Sequence, residues 1–169
     1  MKFYSSYLQP IYDDPVKYKE LISKTAARLR RLQKKTPFDA IAFRGTSGAA
    51  LAYPISARMG IPLICVRKKG DNAHCCSTVE GSGLRDIKRY IIIDDFIFSG
   101  NTIDEILSEI NREAGFDNGN NARSRKTDGA DAFPDTIQCV AIVLYTASPY
   151  RNKAERFYRN IPLITVQKG

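Results

Sequence analysis

The run Arg89-Tyr90-Ile91-Ile92-Ile93-Asp94 constrains the fold more than any other stretch. It reads as an apolar strand that ends on a carboxylate, with Asp95 next. The chain then turns through Ser99-Gly100-Asn101-Thr102 into a helix from about Thr102 to Ala114 that stops at Gly115. The same alternation runs on both sides. Upstream, Asp39 to Phe43 reads as a short buried strand, Ser47 to Met59 as a helix stopped by Gly60, and Ile61 to Val66 as a second strand. Downstream come a strand from Ile137 to Tyr145, a helical segment from Arg151 to Arg159, and a last strand from Leu163 to Val166. Strand, helix, strand, then strand and helix, implies an α/β fold with a mostly parallel twisted sheet flanked by helices.

The first 36 residues precede this pattern. Asp13-Asp14-Pro15 opens a helix, since Asp accepts from the orphan amides of the first turn and Pro is tolerated at its first position. Tyr18, Leu21, Ile22, Ala26, Leu29 and Leu32 then recur at helical spacing and define one inward face. Arg28, Arg30, Arg31, Lys34 and Lys35 crowd its end, where cations suit the negative end of the helix dipole. That explanation outweighs a nucleic-acid patch without excluding it. Residues 116–136 carry little apolar content and read as an exposed loop rather than a domain boundary.

With 169 residues, 43% of them hydrophobic, the chain can bury one core, and a single domain over 1–169 is expected. No apolar run approaches the roughly 20 residues that span a bilayer, and the start lacks a signal-peptide stretch, so no membrane association and a cytoplasmic location are expected. Cys65, Cys75, Cys76 and Cys139 form no C-x-x-C pair, and His74-Cys75-Cys76 lacks the spacing of a zinc site. The net charge of +8 favours polyanions but does not choose between nucleic acid and a polyphosphate metabolite.

Asp94 and Asp95 arrive at a strand's C-terminal end, where open α/β sheets bind ligands. Amides and hydroxyls at the following helix start form a phosphate cradle. Together they can hold a sugar phosphate at both ends, with hydroxyls and any magnesium near the carboxylates.

The string from Ile91 to Thr102 resembles the phosphoribosyl-pyrophosphate motif of type I phosphoribosyltransferases: hydrophobics, two acidic residues, three variable positions and a Thr/Ser-Gly-x-Thr loop. The turn Arg44-Gly45-Thr46-Ser47-Gly48, with Gly60-Ile61-Pro62-Leu63 downstream, resembles the pyrophosphate loop of that family. Val66-Arg67-Lys68-Lys69-Gly70 through His74 and on to Gly81 resembles the mobile loop of its orotate members, and adenine members show a similar Arg-Lys start.

The resemblance implies the type I fold with a small hood from the N-terminal segment, and a homodimer. It implies magnesium-dependent transfer of phosphoribosyl from phosphoribosyl pyrophosphate to a nucleobase. Asp94 and Asp95 would face the ribose hydroxyls and magnesium. Ser99, Gly100, Asn101 and Thr102 would hold the 5-phosphate, and Arg44 to Gly48 with Arg67 the pyrophosphate. Lys68, Lys69 and His74 would serve catalysis, and Ile97, Phe98 and Tyr150 would lie near the base. Phe98 stands where 6-oxopurine members carry a proton-exchanging Asp, which disfavours those bases. No Lys-Ser-Gly triplet of orotate members occurs in residues 1 to 36. Orotate or another pyrimidine stays slightly ahead of adenine. The alternative is a non-catalytic regulator that senses phosphoribosyl pyrophosphate or a nucleotide and binds RNA or DNA. A response-regulator-like domain is set aside, because its acidic pair should follow the first strand.

Overall fold

The computed structural model describes residues 13–68, 70, 77–81, 84–115, 137–146, 158 and 160–166. Helix α1 spans Pro15–Lys35. Its cap is as expected, with the Asp14 carboxylate accepting from the Val16 and Lys17 amides at 3.1 and 2.9 Å. Strand β1 (Ala40–Phe43) leads into α2 (Gly45–Met59), β2 (Leu63–Val66) and β3 (Val79–Gly81). A single 3-10 turn at Leu84–Asp86 precedes β4 (Arg89–Asp94), α3 (Asn101–Glu113), β5 (Gln138–Leu144) and β6 (Leu163–Thr165).

These strands form one sheet in the order β3-β2-β1-β4-β5-β6. All neighbours are parallel except β2 and β3, where Cys65 opposes Glu80 in an antiparallel pair. The sequence shows β3 only as part of the loop that runs from Val66 to Gly81. Three residues at a sheet edge, none buried, are too short to show a period of two. Its end is nonetheless tightly specified: Gly81 has φ +127°, and a Cβ there would lie 2.1 Å from the Leu63 carbonyl oxygen.

The sheet is covered on both faces. Tyr90 and Ile92 of β4 face a cluster with Ile103, Ile106 and Ile110 of α3, whereas Ile91 and Ile93 face Leu51, Ala52 and Ile55 of α2 and Leu21, Ala26 and Leu29 of α1. Successive strand residues point to opposite faces, so an unbroken apolar run is what such a strand requires. Each fully buried aliphatic side chain contributes about 1.5–3 kcal/mol. The register of β5 slips by one opposite Tyr90 and Ile91, leaving Val140 as the extra residue of a bulge. Of the N-terminal segment, Pro15–Lys35 is a flanking helix. Residues 1–12, the rest of the expected hood, lie outside the described residues.

The chain leaves β1 for β2 on one side and later returns to β4 on the other. Connections therefore diverge from the C-terminal ends of β1 and β4, which opens a crevice there. Replacing Ile92→Ala, at the centre of this sheet and fully buried, should cost about 2–5 kcal/mol. Urea unfolding followed by circular dichroism checks this; a cost under about 1 kcal/mol would contradict the packing described.

Candidate active site

Asp94 is the last residue of β4 and is 4% exposed. Its Oδ1 accepts from the Asp95 amide at 2.9 Å and from the Ser47 hydroxyl at 3.3 Å. Asp95, half-buried, turns its own Oδ1 to the Phe96 amide at 2.8 Å. The backbone beneath is locked to the end of β5. The Tyr145 amide donates to the Asp94 carbonyl at 3.2 Å, and both the amide and the hydroxyl of Thr146 donate to the Asp95 carbonyl, at 3.0 and 2.8 Å.

Two helix starts face this acidic pair. At one, the chain enters α3 through Gly100 with φ +91°, a left-handed conformation that suits glycine. A Cβ there would meet the Tyr158 hydroxyl at 2.8 Å. That hydroxyl lies 2.7 Å from Asp104 Oδ1 and 3.1 Å from the Gly100 carbonyl oxygen, so Tyr158 braces the turn. At the other, Gly45 opens α2 with φ +65°, and Lys68 lies over it: a Cβ on Gly45 would be 3.1 Å from Cε and 3.4 Å from Nζ. Gly48 lets the same helix start sit against the sheet, where a Cβ would be 3.0 Å from the Ile93 carbonyl oxygen. The Tyr145 hydroxyl donates to the Ser47 carbonyl at 2.9 Å. The first-turn amides of a helix lack partners within it, so each start offers donors beside this space; at α3 the Asn101 amide donates to the Ser99 hydroxyl at 3.3 Å.

That space is a cleft of about 170 Å³. It is lined by Arg44, Gly45, Ser47, Lys68, Asp94, Asp95, Ile97, Phe98, Ser99, Gly100 and Thr102, all singled out from the sequence, and by Phe96 and Ile103, which were not. Thr46, Gly48, Arg67 and Asn101 do not line it. Arg67 pairs with Glu80 across β2 and β3. Arg44 is buried, and its guanidinium pairs with Glu105 of α3, which ties the two helix starts together. Phe98 stands 64% exposed at the rim. Lys69, His74, Tyr150 and the loop 116–136 lie outside the described residues. Glu105, Tyr145, Thr146 and Tyr158 were missed by sequence reasoning. Tyr145 had been placed at a strand end, but nothing local links it to Ser47 or Asp94.

Burial raises the Asp94 carboxyl to about 7, with the neighbouring charge of Asp95 as the second cause. Among the described residues no three His, Cys, Asp or Glu side chains converge on a metal position. Magnesium is commonly held by one or two carboxylates with the rest of its shell from phosphates and water. The pair Asp94 and Asp95 fits a cation that arrives on an oxygen-rich ligand, not a cage of protein ligands.

The sequence model of the PRTase-CE family matches residues 3–167. No curated protein matches the chain by sequence. Among solved structures, UMP synthase of Leishmania donovani is similar over 94% of this chain and 28% of its own, with 21% identity and a TM-score of 0.64. The chain thus spans little more than a quarter of that protein. Adenine phosphoribosyltransferase of Saccharomyces cerevisiae, solved with adenine, is similar over 94% of this chain and 83% of its own, at 16% identity and TM-score 0.63. Orotate phosphoribosyltransferase of Mycobacterium tuberculosis, solved with 5-phospho-α-D-ribosyl 1-diphosphate, is similar over 85% and 71%, at 15% identity and TM-score 0.56. These likenesses concern the fold.

A carboxyl with a raised value holds its proton more tightly folded than unfolded, so its contribution to stability is greatest below 3.8 and is lost as pH rises to about 7. In buffer without divalent cations, stability should fall across that window by on the order of 2–4 kcal/mol from this group. Asp94→Asn should remove this part of the slope and raise the melting temperature at pH 8. Thermal melts of both proteins from pH 4 to pH 8 decide it; parallel curves would place the Asp94 charge in a solvated setting.

Proposed function

We propose that this chain, which belongs to the PRTase-CE family and has the type I phosphoribosyltransferase fold, binds 5-phosphoribosyl 1-pyrophosphate and transfers its phosphoribosyl group to a nitrogenous base. The observation that carries the reading is the placement of two helix starts on either side of one acidic pair, of which Asp94 is buried and Asp95 half-buried. A ligand with phosphate at both ends and a diol between matches that spacing of charge. Pyrimidines such as orotate remain slightly ahead of adenine as acceptors.

In this reading the Ser99 to Thr102 turn holds the 5-phosphate with its amides and hydroxyls. Asp94 and Asp95 accept from the ribose hydroxyls, which fixes the ring and its anomeric carbon. The Arg44 to Gly48 turn and Lys68 receive the pyrophosphate. The anomeric carbon–oxygen bond breaks with its electron pair leaving on pyrophosphate, while a ring nitrogen lone pair of the base forms the new bond and the proton of that nitrogen passes to solvent. The protein forms no covalent intermediate; its part is positioning and placing positive charge where negative charge grows. Magnesium, when bound at Asp94 and Asp95, supplies Lewis-acid support to the leaving group. Phe98, exposed at the rim, offers a face on which a base can stack.

Incubation with the donor, magnesium and a panel including orotate, uracil, adenine and hypoxanthine, followed by pyrophosphate release, tests the reading. Release with one base names the acceptor, and donor binding without release for any base would favour the sensing regulator.

Two substitutions probe the roles. Asp94→Asn with Asp95→Asn should weaken donor binding at least about a hundredfold by calorimetry, on the scale of two charge-assisted contacts. Lys68→Ala should lower kcat more than it raises KM, because charge on the leaving group grows toward the transition state. An effect confined to KM would remove Lys68 from catalysis.

A further inference from the structure

Nearly all of the net charge of the chain sits on one helix. Pro15–Lys35 carries eight Lys and Arg against the single Glu20, a net of +7, while the whole chain is +8. The other 148 residues hold 18 cations and 17 carboxylates and are close to neutral. From Leu21 to the helix end there are six cations and no carboxylate.

The cations are also aligned. Lys24, Arg28, Arg31 and Lys35 follow one another at intervals of four, three and four residues, so they share a stripe on the helix, and all four are exposed. Arg30 and Lys34, also exposed, lie beside it. The side of the helix that carries Leu21, Ala26 and Leu29 is fixed in the core. At 1.5 Å per residue the stripe from Lys24 to Lys35 is about 16 Å long.

The helix dipole accounts for Lys34 and Lys35 in the last turn but not for cations further back, because its effect falls off within one turn. Like charges three and four residues apart destabilise a helix. Among the described residues, only Lys17 and Lys24 of α1 are paired with carboxylates, through Asp14 and Glu20. The stripe therefore works against the free protein and is relieved by a polyanion.

The proposed phosphoribosyl site does not use it. Helix α2 begins at Gly45 in the cleft and runs about 22 Å to Met59. Arg30 donates to the Arg58 carbonyl at 3.2 Å, at the far end of that helix. Lys35 is followed by four residues before β1 starts, so it too stands at the strands' N-terminal edge, away from the cleft.

We propose that the outer face of α1 binds the phosphate backbone of double-helical DNA. Along the duplex axis the phosphates of one strand rise by about 3.4 Å each, so a stripe of this length laid along the axis spans four or five. Single strands are bound largely by stacking on aromatic side chains, and the stripe has none; Tyr18, the one aromatic of α1, is half-buried with its hydroxyl on the Ala50 carbonyl. A membrane-surface helix needs an apolar face to insert, and here that face is in the core, with Val16 the only exposed large hydrophobic of α1. The B-form major groove is wide enough to admit the outer side of a helix, whereas that of A-form RNA is deep and narrow.

Fluorescence anisotropy of a labelled duplex of about 20 base pairs, titrated with the full chain, tests this. Neutralising four or more phosphates predicts an affinity loss of about a hundredfold or more between 50 and 200 mM salt. The variant with Lys24, Arg28, Arg31 and Lys35 all changed to Gln should lose about a hundredfold at 50 mM salt while melting no lower than wild type. If that variant melts early, Arg28→Gln with Arg31→Gln and a loss of about tenfold decides. Asp94→Asn should leave DNA binding unchanged. Absence of binding by the wild-type chain overturns the proposal. So does an equal loss when Arg123, Arg125 and Lys126 are changed to Gln instead. Equal or tighter binding of duplex RNA, or of phosphatidylserine vesicles, overturns the assignment to DNA.

Discussion

The structure turns on a carboxylate that is taken out of water at the end of an apolar strand. Asp94 is almost completely buried, and burial, with the charge of Asp95 beside it, raises its carboxyl to about 7. Its surroundings answer that cost with donors: an amide and a hydroxyl on one oxygen, and a backbone held by β5. The amide is local, but the Ser47 hydroxyl and the Tyr145 and Thr146 donors arrive only when α2 and β5 pack beside β4. A ligand that brings a cation or hydroxyl donors to Asp94 restores the charged form. The free protein is therefore under electrostatic strain at the place where it would be relieved by binding.

The two helix starts depend on the same arrangement. Gly45, Gly48 and Gly100 each sit where a side chain would strike Lys68, the sheet backbone or Tyr158. Backbone amides reach the cleft because those positions carry no Cβ. The ion pair between buried Arg44 and solvent-exposed Glu105 joins the starts directly, so a shift of α3 is felt at the opening of α2. A buried arginine without that partner would be costly, which binds the separation of the two cradles to the packing of the helices.

Charge is distributed unevenly about this frame. The cleft end of the sheet holds Asp94, Asp95 and two helix starts, whereas the later cations of α1, to Lys35, run toward the opposite edge. Because the inner face of α1 is spent on the core, its basic side can only face outward. Fold stability and surface electrostatics are assigned to opposite sides of one helix.

Much of this was legible without coordinates. The apolar run ending in Asp94 and Asp95, the Ser99 to Thr102 turn and the Arg44 to Gly48 turn are local patterns, and the elements around them fall within two residues of their expected ends. The family resemblance read from them agrees with the PRTase-CE match. Strand β3 escaped notice because three unburied residues carry no periodic signal. The pairing of Arg44 with Glu105, and the bracing by Tyr145, Thr146 and Tyr158, join residues from about 50 to about 100 positions apart. Periodicity, capping and turn chemistry act over a few residues, so the sequence by itself determined the elements, their order and the residues offered to the cleft. Which of those residues meet, and how far burial displaces the Asp94 proton, was decided only when the sheet brought distant segments together, because desolvation and pairing depend on neighbours in space.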